Sequence, residues 1–122
     1  MSDIHFCKVC YSSYGVELHH IIFRSKVPSL TDCKLNHVYL CSRHHRGENG
    51  VHGKYGDKLD KELKKEFQNK LELVFDKEYL TRKNIKEGLG ISDKATDRLC
   101  KTFKQDKGMF NREDVILRCM GR

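Results

Sequence analysis

The chain has 122 residues and carries 24 Lys and Arg against 17 Asp and Glu, a formal charge of +7 with the histidines neutral. At 38% hydrophobic residues and no Trp, its apolar content is thin for a self-sufficient core, and its charge favours polyanionic partners. No apolar run approaches the roughly 18 residues of a membrane span, and Met1 to Phe6 lack the basic start and apolar stretch of a signal peptide, so a cytoplasmic protein with no membrane partner is expected.

Four of the six cysteines and all seven histidines precede Gly53, and the remainder is charged, amphipathic and almost free of ligand types. This unevenness sets the expected organisation: residues 1–56 a ligand-rich unit, 57–78 a spacer helix, 79–122 a helical segment, with no internal repeat. Six cysteines are compatible with a secreted disulfide framework, but a Cys-x2-Cys accompanied by so many histidines reads as metal chemistry.

The first element is the knuckle Cys7-Lys-Val-Cys10, matched far downstream by Cys41-Ser-Arg-His44. Three thiolates and an imidazole in two such pairs suit a tetrahedral structural zinc. That site would contribute folding free energy on the order of 10 kcal/mol or more. Cys33, Cys100 and Cys119 have no neighbour at ligand spacing and read as packed thiols, with Cys33 a substitute ligand candidate. Between the knuckles, Val16-Glu-Leu-His-His-Ile-Ile-Phe reads as a strand whose adjacent His19 and His20 face opposite sides. One can then ligate a metal while the other serves a different atom. Leu35-Asn-His-Val-Tyr-Leu should pair with it as an antiparallel ribbon, and His44-His45-Arg46 should open a turn or helix. His5 and His37 read as bystanders, His5 because it is near a terminus and His37 because it alternates away from Asn36.

From Lys54, the apolar residues Leu59, Leu63, Phe67, Leu71, Val74 and Phe75 recur at helical spacing, with interleaved charges on the solvated face. Two shorter helical patterns meet at Gly88-Leu-Gly90, where Gly90 can turn the chain and Ser92 can cap the next helix. Ile85, Leu89, Ile91 and Leu99 should form the contacts of this helix-turn-helix-like segment, displaying Lys94, Thr96, Asp97, Arg98 and Lys101 outward. Asn111 should cap a last helix with acidic residues in its first turn. Lys94, Thr96 and Arg98 are therefore candidate DNA contacts, as are Arg24, Arg43 and Arg46, which flank the histidines and suit phosphate clamping.

Cys7-x2-Cys10, Leu18-His19-His20-Ile21, Asn36 and Cys41-x2-His44-His45 together resemble the HNH endonucleases, the ββα-metal or His-Me finger group. The resemblance covers roughly Phe6 to Gly53, and the helical remainder is similar to small phage-borne HNH proteins with a helix-turn-helix-like segment. It implies an α+β fold, a small zinc-stabilised ββα-metal unit followed by an α-helical C-terminal part. It also implies a metal-dependent endonuclease that hydrolyses phosphodiesters of double-stranded DNA, nicking as a monomer and cutting both strands as a homodimer, in the cytoplasm of a bacterial host. His20 would be the general base, and Asn36 would aim its ring through backbone hydrogen bonds. His19 and His45 would bind the catalytic divalent cation, Mg²⁺, Mn²⁺, Ni²⁺ or Zn²⁺. Two departures stand out. His19 occupies a place often filled by Asp, which moves preference from Mg²⁺ towards softer ions. Position 49, where another His is usual, is Asn, and on a continuous helix His52 would lie about 10.5 Å from His45. Breaks at Gly47 and Gly50 would let His52 fold back as a third ligand or phosphate contact. The rival reading is a non-catalytic zinc-stabilised DNA-binding regulator or recombination accessory protein. A third is an RNA-binding zinc ribbon using Tyr11, Tyr14 and Phe23 for stacking.

Overall fold

A computed structural model describes residues 4–122, so Met1 to Asp3, part of the segment read for a leader, lie outside the described residues. The architecture is α+β: among the described residues there are two small antiparallel sheets and five α-helices. In chain order these are β1 (Val16–His20), β2 (His37–Cys41), α1 (Ser42–Arg46), α2 (Asp57–Val74), β3 (Tyr79–Thr81), α3 (Arg82–Leu89), α4 (Asp93–Cys100), β4 (Met109–Asn111) and α5 (Arg112–Cys119). No described helix is long and apolar enough to cross a membrane.

Two compact units divide the chain. One runs up to Ile21 and resumes over His37–Lys64, and the other comprises Ile22–Asn36 and Lys65–Arg122. The division therefore falls inside α2 rather than after residues 56 and 78. Segment Ile22–Asn36 belongs with the C-terminal unit because it buries Ile22, Val27, Leu30 and Cys33, too much apolar surface for a connecting loop.

In the first unit β1 and β2 pair antiparallel, with Val16 opposite Cys41 and His20 opposite His37. Strand alternation puts Glu17 and His19 on one face of this ribbon and Leu18 and His20 on the other. The strand ends at His20, short of the expected Phe23. Ile21 and Ile22 are both buried, which breaks the alternation. Asn36 precedes β2, in a 3-10 turn over Lys34–Asn36, and is not on the strand as expected.

Helix α1 stops at Gly47, and a tight coil follows. The amides of Gly50, Gly53 and Gly56 donate to the carbonyls of Gly47, Gly50 and Gly53 at 2.9, 2.8 and 3.1 Å. A Cβ on Gly53 would lie 1.9 Å from the Gly47 oxygen, and one on Gly56 would lie 1.9 Å from the Gly50 oxygen, so the path admits only glycine at these two positions. Gly53→Ala is expected to open the coil at a cost of about 3 kcal/mol, the upper end for one substitution, read by urea denaturation.

In the second unit, the stripe expected along α2 is buried at Phe67, Leu71 and Phe75, as is Leu63 earlier in the helix, whereas Val74 is exposed. A spacing of four carries the buried face to Phe75, just past the helix end, and leaves Val74 to one side. Thr81 and Asn84 form a reciprocal capping box at the start of α3, and Gly90 closes that helix at φ 63°. The Ser92 hydroxyl accepts from the Ala95 amide at 3.1 Å, and Asn111 Oδ1 accepts from the Glu113 and Asp114 amides at 2.9 and 3.3 Å. Ile85, Leu89, Ile91 and Leu99 are buried as expected.

The structure also exposes a repeat in this unit. Tyr79-Leu-Thr-Arg and Met109-Phe-Asn-Arg each supply a three-residue strand whose last residue caps a helix beginning with Arg. The strands pair about their centres, Leu80 opposite Phe110, and both of those residues are buried.

Candidate metal centres

The two knuckles meet in the first unit. The Cys7 amide donates to Ser12 O at 2.8 Å and the Lys8 amide to Tyr39 O at 2.9 Å, which ties the first knuckle to β2. Cys41 ends β2 and His44 lies in α1, so the helix start presents both donors on one side. Cys7 Sγ lies 3.6 Å from His44 Nδ1, Cys10 Sγ 3.8 Å from Cys41 Sγ, and Cys41 Sγ 3.2 Å from His44 Nδ1. Ligands held tetrahedrally at metal–sulfur and metal–nitrogen distances of about 2.3 and 2.1 Å are separated by about 3.5–3.8 Å. The first two spacings fall in this range and the third is about 0.3 Å shorter, and the cluster can hold a metal ion.

One of the thiols, that of Cys7, is electrostatically prepared for this. Burial raises the Cys7 pKa, but the amides of Cys10, Cys41 and Val9 more than offset it and bring the thiol down to about 6. Cys10 is raised: the Ser12 amide favours its thiolate, yet desolvation and the neighbouring sulfurs of Cys7 and Cys41 outweigh that amide. Crowded thiolates repel one another, and a cation among them removes that repulsion. Cys33 and Cys119 are fully buried and Cys100 partly so. None of the three belongs to the cluster.

A second cluster is separate from the first. Ligand nitrogens of His19, His45 and His52 lie within 4.8 Å of one another, and their ring centroids are 4.7–5.2 Å apart. His19 comes from β1, His45 from α1 and His52 from the glycine coil. The His52 amide donates to the His45 carbonyl at 2.9 Å, so the chain folds His52 back beside His45, as the glycines allow. His19 is 3% exposed. Burial, then the rings of His52 and His45, push its pKa down to about 4. Burial and His45 also lower His52, against a smaller opposing effect of Asp60. Neutral rings keep the lone pairs that a metal requires.

The sequence reading missed Glu17. Its carboxylate bonds His45 Nδ1 at 3.1 Å and also pairs with Arg46, so the other His45 nitrogen is left for the cluster. Carboxylate-to-histidine contacts of this type orient metal ligands. The available signal was position, since Glu17 is two residues before His19 and hence on the same strand face. Glu17→Ala is expected to weaken metal uptake at the histidine cluster about 10- to 100-fold, measured by titration with Co²⁺ or Ni²⁺ absorption.

The other candidate residues fall as follows. His20 is half-buried on the opposite ribbon face from His19, and its ring lies edge-on to His37 at 5.0 Å. His37, expected to be a bystander, is therefore the cross-strand neighbour of His20. His5 stacks on Tyr39 with centroids 3.8 Å apart. In the second unit, Asn36 is fully buried; its Oδ1 accepts from the Ile22 amide at 2.7 Å and its Nδ2 donates to the Ile22 carbonyl at 3.0 Å. Asn36→Ala strands both backbone groups and is expected to cost about 2–4 kcal/mol, read by chemical denaturation. Arg24 and Arg43 are exposed, and Arg46 is engaged by Glu17. Lys94 and Arg98 are exposed on α4. Thr96 corrects the expectation: it is fully buried and its hydroxyl donates to the Ser92 carbonyl at 2.8 Å, so it cannot contact DNA. It lies one turn before Leu99 and shares that apolar face. No family model matches the chain, and no curated protein or solved structure matches it significantly.

Proposed function

We propose that this protein is a metal-dependent DNA endonuclease of the HNH, ββα-metal kind. Cys7, Cys10, Cys41 and His44 would hold a structural zinc, and His19, His45 and His52 would hold a catalytic divalent cation. One observation carries this reading: the anchor has four donors of its own, and three more imidazoles converge elsewhere in the same unit. A purely structural metal has no use for the second set. In this reading β1, β2 and α1 form the ββα unit.

Three imidazole ligands favour Zn²⁺, Ni²⁺, Co²⁺ or Mn²⁺ over Mg²⁺. Such an ion supplies positive charge where negative charge develops at a scissile phosphate and its leaving oxygen. The remaining work belongs to the chain. His20, directed away from the ligand cluster, takes the proton of the attacking water, the general-base role that an imidazole most often fills. His37 packs against the His20 ring and restricts its rotation. Asn36 clamps both backbone groups of Ile22 and so limits the swing of the chain just beyond His20. Glu17 holds His45, and the exposed Arg43 offers charge to phosphate oxygens. One such site cuts one strand, so a monomer nicks and a homodimer breaks both strands. The excess of cations supplies salt-sensitive affinity for duplex DNA.

Supercoiled plasmid incubated with the purified protein and Mg²⁺, Mn²⁺, Ni²⁺ or Zn²⁺ in turn tests this. Conversion to open circles is expected, faster with Mn²⁺ or Ni²⁺ than with Mg²⁺. A protein that retains one tight zinc and retards DNA, yet nicks with none of these ions, is the non-catalytic DNA-binding protein instead.

A further inference from the structure

In the second unit, α4 borders an open groove of about 760 Å³ whose other lining residues are Pro28 and Ser29. Lys94, Arg98 and Lys101 line it, and their spacings of four and three put them on one face of the helix. The acids of α4 do not cancel this charge. Asp93 is paired with Arg82 at 3.1 Å and with Lys86 at 3.4 Å, and Asp97, which also borders the groove, is paired with Arg82 at 2.7 Å. Lys94, Arg98 and Lys101 have no ion pair among the described residues.

The backbone adds to this positive charge. Ser92, Lys94 and Ala95 bring the first turn of α4 to the groove, which is the partially positive end of the helix. Ser29 lines the same space. The three cations extend over about 10.5 Å of helix, a length that suits a run of phosphates rather than one small ion.

We infer that this groove grips the sugar-phosphate backbone of duplex DNA, with Lys94, Arg98 and Lys101 pairing with phosphates. The choice of DNA as ligand rests on the endonuclease reading; the anion preference rests on the groove itself. Contacts of this kind carry no base information, so α4 holds the duplex without reading its sequence.

The test is the salt dependence of duplex binding, followed by fluorescence anisotropy without added divalent cation. The combined variant Lys94→Gln, Arg98→Gln, Lys101→Gln is compared with Lys58→Gln, Lys61→Gln, Lys65→Gln, which removes equal charge from exposed positions on α2. The α4 variant should flatten the slope of log affinity against log salt by about 2 to 3, equally on unrelated sequences, while the α2 variant keeps a nearly wild-type slope. Equal flattening by both variants, no flattening by either, or no duplex binding by the wild type overturns the inference. So does inorganic phosphate that saturates the groove and displaces the duplex at matched ionic strength. Nicking by the wild type together with a slope indifferent to α4 refutes the groove and spares the endonuclease. A groove-dependent slope without nicking under any cation does the reverse.

Discussion

His20→Ala is expected to slow plasmid nicking by about 10²- to 10⁴-fold, the contribution of a positioned general base, while the protein stays folded and keeps its metal. The separation of these effects follows from the ribbon. His20 shares a face with Leu18 and His37, whereas His19 shares the other with Glu17, so truncating the His20 ring touches neither metal cluster. It is only half-buried, and the lost packing against His37 should cost no more than about 1 kcal/mol. Metal content, circular dichroism and cleavage rate measured on one preparation make the comparison. Nicking by His20→Ala at the wild-type rate would remove the residue from its role. Loss of bound metal in that variant would show that its effect is structural.

The second large effect is on folding. Cys7→Ser is expected to unfold the first unit, because a zinc held by the anchor would contribute on the order of 10 kcal/mol and a whole domain is stable by only about 5–15 kcal/mol. The buried Cys7 Sγ is the donor best prepared to ionise, and a serine hydroxyl in its place remains protonated and hard. Wild-type protein should retain one zinc through mild chelation, Cys7→Ser should retain none, and Cys100→Ser, outside the anchor, should match the wild type. A zinc-free Cys7→Ser chain that melts like the wild type would show that the anchor does not hold the fold.

The knuckles, the helix caps and the buried stripe of α2 were legible because each depends on residues close in sequence. Ligand spacing, an Asn before two acids and a Ser after a glycine turn all act within one or two turns of chain. Features that depend on register or on packing between elements were not. Glu17 gains its role only when α1 brings His45 to the strand face carrying His19. His37 looked idle because Asn36 was placed on the same strand; with Asn36 in the preceding turn, pairing sets His37 opposite His20. Thr96 was misread for the opposite reason, since its spacing from Leu99 already put it on the apolar face and its polar side chain obscured that. Segment Ile22–Asn36 read as a connection between strands, and only its burial shows that it belongs to the other unit.

The coil from Gly47 to Gly56 sets a rule for lengthening or shortening the chain there. Each backbone step between successive glycines spans three residues, so inserting or deleting one residue between Gly47 and Gly53 puts a Cβ where the carbonyls leave no room and turns His52 out of phase with His45. An insertion of three residues in the glycine-every-third pattern keeps that phase but lengthens the coil, which carries His52 away from the His45 carbonyl that its amide meets. The native length between Gly47 and Gly53 should therefore be the one that gathers all three imidazoles.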